Sequence, residues 1–471
     1  MAEASGGSRG SGIWGSRGST GNWRGATRRR ILGNALRAGA LIAGGSGALA
    51  ACAAPGGTDR AQTDRANRAP VSVRVKTWTN VINIPTWEKA FQRFNEVNAG
   101  QKLTAVLEHQ PTDYDAKVTA EYAAGIGPDV IYQNPAPMQA MALQGMVKDH
   151  TPEVKADKLD MADINPPAQL PYQWEGKIWG IACWNDTRVL SLNADAFKAA
   201  GIALPPQTAD APGWTVDDFV SAARKLNDVA SNKYAFVAEG VGSLKRFSWQ
   251  YGSYYWNDEK VPTRSAFGSS ENVTGLQWVR DLQYGHRVMA PRTFANDYGG
   301  WEKMFVNGMM PIAYCAYKHV TAGWQEIKDF QWTVAPMPRA KTRMHHVSPQ
   351  AFAMMSSTKI PADAWMVVKD FSLGEANAIM ASVSSMPSYK KTDVYKVANV
   401  PQDKRWMVKL LQDAMNTGKP EVPHPNVKNE MLQAMDAVTT DLLDDKISAQ
   451  DAARSGQERV NALFDQFGVR K

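Results

Sequence analysis

Aromatic and amide side chains gather in this chain where runs of strand-like sequence end. Trp78 and Thr79 close the alternating, β-branched run 71–78. Gln133 and Asn134 follow the short apolar run 128–132, and Trp184, Asn185 and Asp186 follow 177–181. A denser group occupies 247–257, with Trp249, Tyr254 and Trp256 in it, and Tyr317, Trp324 and Gln350 stand further along. Indole and phenol rings offer flat apolar platforms with a polar edge, while amides and carboxylates donate and accept in fixed geometry. Such a set suits a ligand with C–H faces and a rim of hydroxyls. In an open α/β sheet the carboxyl ends of strands are where ligands sit. Plainer roles stay open: Trp78 packing at an edge, Asp186 capping a turn, and alternation in 249–256 that turns at most two rings toward a ligand.

Covalent and metal chemistry find less support. Residues 71–471 contain no G-x-S-x-G, no G-x-x-x-x-G-K-[ST] and no H-E-x-x-H. With 46 acids in the chain, pairs of carboxylates arise by chance and specify no hydrolysis. His345 and His346 are neighbours, and on a strand neighbours point to opposite faces, so metal binding is not expected. Nor is any cofactor. Cys183 and Cys315 stand alone, either as one bridge or as two small buried hydrophobes. The expectation is a binding protein and not an enzyme, with a secreted carbohydrate-active enzyme as the competing class.

The elements that would position these residues begin near 71. The strand 71–78, a helix opened by Pro85, a strand at 102–108, a helix at 113–124 closed by Gly125 and the strand 128–132 alternate in order. That order argues for a parallel sheet with helices on both faces. Strands at 177–181 and 189–192 follow. Thr215 and Asp218 form a capping-box pattern, 331–334 reads as a strand, and residues beyond 362 are mostly helical.

Charge is concentrated at the start. The net charge is +7, yet residues 1–51 hold seven arginines and one acid, leaving the body near neutral. No basic stripe remains to track a nucleic acid, and none is expected as a partner. The arginines at 28–30, a modest apolar run at 38–51 and Leu49-Ala50-Ala51-Cys52 have the order of an export signal. It resembles a twin-arginine leader ending in a lipobox. Cys52 would carry the lipid, anchoring the protein to the cell membrane on its outer side, and residues 53–69 would form a flexible tether.

The body also resembles a known family. The motifs are Ala123-Ala124-Gly125 with Pro128-Asp129-Val130, Glu175-Gly176-Lys177-Ile178-Trp179-Gly180, and 187–193 with Phe197 and Ala200-Gly201-Ile202. Pro205-Pro206 with Trp214, Phe305-x-x-Gly308-x-Met310, Ala335-Pro336-Met337-Pro338 and Ala362-x-Ala364-Trp365 complete the series. In this order they are similar to the family 1 extracellular solute-binding proteins, the maltose-binding-protein class. Departures fall at Ala182, Ser191-Leu192, 209–213 and 345–354. The resemblance implies a type II-like two-lobe α/β fold, each lobe a mainly parallel sheet, joined by crossing strands. The expected division is an export signal at 1–51, lipidated Cys52 and tether at 52–70, a first lobe at 71–188 with 313–350, and a second at 189–312 with 351–471. The crossings are expected near Arg188, 312–316 and 350–353. It further implies a monomer that delivers a small solute, a sugar or oligosaccharide foremost, to the membrane subunits of an ABC importer. Glycerol phosphodiesters and polyamines remain as alternative ligands.

Overall fold

A computed structural model describes residues 67–78, 83–228, 233–237, 239–291, 293–382 and 385–469. The expected export signal, Cys52, the tether up to 66 and Thr79 lie outside these residues. The last tether residues are described, and Arg68 is ion-paired to Asp363 at 2.7 Å.

Alternation in the first run produces strand β1 (Val71–Thr77), whose Val73 and Val75 are fully buried. β2 (Leu103–His109) pairs parallel on one side and β3 (Val130–Gln133) parallel on the other. The connecting helix Ile84–Asn98 buries Trp87, Ala90, Phe91 and Phe94, each large side chain worth about 1.5–3 kcal/mol. Val97 is 56% exposed and Asn98 is buried in its stead, its amide donating to Phe94 O. The helix Tyr114–Ala123 stops before Gly125, which takes a left-handed φ of +72°.

The run 177–181 is not one strand. β4 (Gln173–Trp174) and β5 (Lys177–Ile178) form a hairpin about Glu175 and Gly176. Both turn residues have positive φ, as a tight two-residue hairpin turn requires. β6 (Ile181–Thr187) then carries the chain through Trp184, Asn185 and Asp186, which lie within a strand and not after one. β7 (Val189–Asn193) follows in a different sheet, antiparallel to both β8 (Ile312–Cys315) and β9 (Trp332–Ala335). β10 (His346–Met354) returns to the first sheet between β3 and β6, antiparallel to both, and β11 (Lys419–Pro420) adds to its start.

Two lobes with separate cores result, and two features differ from the sequence-based expectation. The second sheet is mixed and not mainly parallel: its three strands pair antiparallel, while Phe236 bridges Ile312 and Met289 in parallel. The chain changes sheet at Arg188 as expected, but its return lies between Ala335 and His346, not at 312–316 or 350–353. β8 and β9 therefore belong with the second sheet and β10 with the first, whereas the expected division ran the other way for 313–335 and 351–354. β8 and the end of β10 are both short, fully buried runs, and nothing local says which partner strand each takes. The helix Pro361–Leu373 packs on the first core, where Phe371 meets Phe91 with ring centroids 4.5 Å apart. Further on, the chain runs along β6, where Met386 O accepts from the Asn185 N–H and Pro387 bridges Trp184. The helices Lys428–Leu443 and Ala449–Gln466 cover the aromatic group of 249–256. Thr215 and Asp218 form the expected capping box, worth about 1 kcal/mol.

Candidate functional site

Register brings the strand ends together. β1 and β3 run parallel, so Trp78, Gln133 and Asn134 emerge at one edge of the first sheet. β10 runs the other way and places Gln350 opposite Trp184 of β6. The same edge therefore holds the end of β6, with Asp186, and the first half of β10, with Ser348. Three cavities lie along it. One of about 210 Å³ is lined by Trp78, Trp184, Asp186, Arg188, Lys318 and Gln350, among others. The next, about 370 Å³, shares Trp78 and adds Asp113, Asp115, Gln133, Asn134 and Lys428. A third, about 260 Å³, shares Asn134 and Lys428 and reaches Lys245, Arg246, His346, Ser348 and Glu421. Shared residues make these one cleft, walled by the first sheet on one side and by Lys318 and the helix Val241–Phe247 of the second lobe on the other.

The first cavity has an aromatic wall. Trp78 stacks on Tyr132 at 5.3 Å and 29°, and Tyr132 meets Trp87 and Trp184 edge-on at 5.2 and 5.3 Å. Burial holds the Tyr132 phenol well above its ordinary pKa, so it stays protonated. The indole N–H groups of Trp78 and Trp184 and Oδ1 of Asp186 have no hydrogen-bond partner among the described residues. Buried polar atoms without partners are uncommon, and these converge on one cavity.

The amides are tied down more tightly. Gln133 donates to Asp115 at 2.7 Å and its carbonyl oxygen accepts from the Asn134 N–H at 2.8 Å. Gln350 donates to Ser348 O at 2.9 Å. Such bonds fix rotamers before a ligand arrives, which lowers the ordering cost of binding.

Charges in the cleft are mostly compensated. Arg188 donates to Asp186 at 2.7 Å and to Glu239 at 3.2 Å. Burial works against its charge, but those two carboxylates hold it more firmly protonated than a free arginine. Glu421 is buried too; Lys245 and Arg246 overcome that cost and keep it below the usual carboxylate range.

Several expected contacts lie away from the three cavities. Trp249 and Trp256 are 1% and 4% exposed and line none of the three cavities; they pack with Phe267, Met431, Met435 and Phe464 under the C-terminal helices. Tyr254 lies beside them, its hydroxyl donating to Pro420 O. Tyr317 is buried and bonds Ala381 O, and Trp324 is buried with its N–H on Ser191 at 2.7 Å. Asn185 points to the opposite face of β6 from Trp184 and bonds Asn165 at 3.3 Å. Thr79 lies outside the described residues. Cys183 and Cys315 are both free and buried, in different sheets. Sequence reasoning missed Asp113, Lys318, Arg246 and Lys428 as cleft residues. Asp113 stands at the N-cap of the helix Tyr114–Ala123 with a left-handed φ of +52° and no side-chain cap bond, a conformation that nothing in the sequence announces. Among the described residues no group of three metal-ligating side chains occurs, and no helix is long and apolar enough to cross a membrane.

Two α/β lobes linked where the chain changes sheet, with a polar and aromatic cleft along the first sheet, define the fold of a solute-binding protein. Residues 89–402 match the family model of the bacterial extracellular solute-binding proteins, and the chain belongs to that family. The same fold recurs in solved structures. An ABC substrate-binding protein of Listeria monocytogenes in complex with cycloalternan is 18% identical, with 84% of this chain and 100% of that one covered at a TM-score of 0.71. The sugar-binding protein MalE of Xanthomonas citri is 16% identical over 84% and 98%, also at 0.71. The GacH receptor of Streptomyces glaucescens, solved unliganded and with acarbose, is 16% identical over 84% and 99% at 0.67.

Proposed function

We propose that this protein captures a sugar or oligosaccharide outside the cytoplasm and presents it to an ABC importer. The observation that carries this reading is the cavity between Trp78 and Arg188. A partly exposed indole platform, an unpartnered carboxylate oxygen and a fixed glutamine converge there from the first lobe, facing Lys318 from the second. A sugar ring can stack on Trp78 while its hydroxyls satisfy Asp186 and Gln350. Structures with this fold are in complex with cycloalternan and with acarbose, which favours a saccharide here. The protein acts as a monomer, held to the outer face of the membrane by a lipid on Cys52. On this reading it binds the solute without acting on it, in keeping with the solute-binding family to which the chain belongs.

A thermal-shift screen against mono- and oligosaccharides tests the reading. A ligand at a hundredfold its Kd stabilises the folded form by about 2.7 kcal/mol, a readily measured shift. A panel spanning neutral, acidic and phosphorylated saccharides that shifts nothing contradicts it.

A further inference from the structure

We propose that the solute carries an anionic group, a carboxylate or a phosphate, seated in the third cavity among Arg246, His346, Ser348 and Lys428. The proposal rests on the solute-binding reading above and narrows its ligand.

Lys428 is the starting point. Among the described residues the other cations that line the cleft have a carboxylate partner: Arg188 with Asp186 at 2.7 Å, Lys318 with Glu302 at 3.1 Å, Lys245 with Asp436 at 2.9 Å and Arg246 with Glu421 at 2.7 Å. Lys428 makes no hydrogen bond or ion pair with a described residue, although it borders both larger cavities and is partly buried. Desolvation pushes its pKa below the ordinary lysine value, against the pull of Asp115. A partly desolvated ammonium without a partner is unfavourable, and an arriving anion relieves it.

The third cavity is lined by three cations, Lys245, Arg246 and Lys428, against two carboxylates, Glu421 and Asp436, and both carboxylates are already ion-paired to Lys245 or Arg246. His346 is kept neutral first by burial and then by Arg246, Arg188 and Lys245, so the potential at its ring is positive. Its Nδ1 is buried and has no hydrogen-bond partner among the described residues. A neutral imidazole can donate one hydrogen bond to an anion there. On the other side of Lys428 the character reverses: Asp113 and Asp115 line the cavity next to Trp78. Carboxylates repel an anion and accept from hydroxyls. The cleft is therefore polar along its length, hydroxyls toward Trp78 and Asp113, the anion toward Arg246 and Lys428.

Titration calorimetry on the full chain tests this with matched sets: a neutral saccharide, its uronic acid and its phosphate, together with inorganic phosphate alone. The acidic member should bind about tenfold or more tightly than its neutral parent, the size expected of one charged hydrogen bond. That preference should shrink as salt is raised, vanish in Lys428→Gln and persist in Lys428→Arg. Preference for the uronic acid identifies a carboxylate site; preference for the sugar phosphate, or saturable binding of inorganic phosphate, identifies a phosphate site. If neutral saccharides bind as tightly as their acidic partners, or Lys428→Gln keeps the preference, the anion site is wrong and the saccharide reading stands. If no member of any set binds, both readings fall. Circular dichroism of the two variants checks that they fold.

Discussion

Asp186 and Arg188 stand on either side of the change of sheet, carboxylate and guanidinium 2.7 Å apart, both on the wall of the cleft. Glu239, from the second lobe, holds the other side of the guanidinium at 3.2 Å, and the Tyr314 ring lies 5.8 Å beneath it. Arg188 is thus a partly buried cation between two carboxylates where the chain changes sheet. Removing it leaves both without a counter-ion. Arg188→Gln should destabilise the protein by about 1–3 kcal/mol, less than breaking a fully buried pair because the side chains keep 16–29% of their exposure. Urea unfolding measures it; a loss under about 1 kcal/mol would mean that water already compensates the carboxylates.

Two tryptophans separate the cleft from the core. Trp78→Ala should weaken saccharide binding about tenfold, the value of a stacked platform plus its contact area, and leave the melting temperature nearly unchanged. Trp256→Ala should do the reverse, costing about 3–5 kcal/mol of stability through a cavity beside Phe267 and Met431. Calorimetry and thermal melts on both variants decide it, and a Trp256→Ala that stays stable but binds poorly would return that residue to the cleft.

The difference between these two tryptophans was beyond the reach of sequence. β1 was legible because alternation of Val71, Val73 and Val75 is a local pattern, and so were the helices whose apolar residues recur every three or four positions. Trp78 and Gln133 fall at one edge because β1 and β3 run parallel, which their position at strand ends foretells. Trp184 and Asp186 reach the same edge from within β6, whose strand-like pattern ends at 181 in the sequence. Trp249 and Trp256 form a group equally rich in aromatics. Their partners, Met431, Met435 and Phe464, arrive from helices near the other end of the chain, and no local pattern foretells that cover. Lys428 was invisible for a related reason. It lies at the start of one of those helices and becomes a cleft residue only when the helix docks.

Buried histidines predict how stability depends on pH. Burial lowers the pKa of His150 to about 4 and of His345 to about 3. Both rings are neutral when folded; Nε2 of His150 accepts from the Met354 N–H, and Nε2 of His345 accepts from the Met337 N–H. An unfolded histidine takes up its proton near pH 6.5, so below that the unfolded state binds more protons. Their contribution is fully present above about pH 6.5, falls by up to about 1.4 kcal/mol per pH unit for each ring, and levels off below the folded pKa. Urea midpoints from pH 7 to pH 4.5 should decline, and His150→Gln should flatten the decline. A midpoint that rises on acidification would contradict the burial of both rings.

Anchoring makes a separate prediction. The run Leu49-Ala50-Ala51-Cys52 presents one cysteine to acylation, and two or more chains at about 0.8 kcal/mol per buried CH₂ hold a protein stably on a bilayer. Cys52→Ala should move the protein from the membrane fraction to the soluble one and remove the mass of the lipid. A mutant with unchanged fractionation and mass would exclude Cys52 as the anchor.

Clamp closure is what the proposed reading predicts for a cleft built from two lobes. A ligand drives closure only through the difference in its affinity for the two forms. Shifting the protein from 1:99 to 99:1 in favour of the closed form takes about 5.5 kcal/mol. One aromatic platform adds roughly 1 kcal/mol beyond its area, and a net hydrogen bond about another 1 kcal/mol. Contacts on the first lobe alone, to Trp78, Gln133 and Asp186, are made equally well in the open form and shift nothing. The driving contacts must come from across the cleft, and Lys318, Lys245 and Arg246 are the side chains placed to make them. Lys318 is the half-exposed member of that set, so it can turn from Glu302 to a ligand at little cost. Lys318→Ala should therefore leave binding measurable but reduce closure, whereas Trp78→Ala should reduce affinity first. X-ray scattering with and without saturating ligand reads this directly. The radius of gyration should fall on binding in the natural protein and fall less in Lys318→Ala; an unchanged radius in the natural protein at saturation would rule out the clamp.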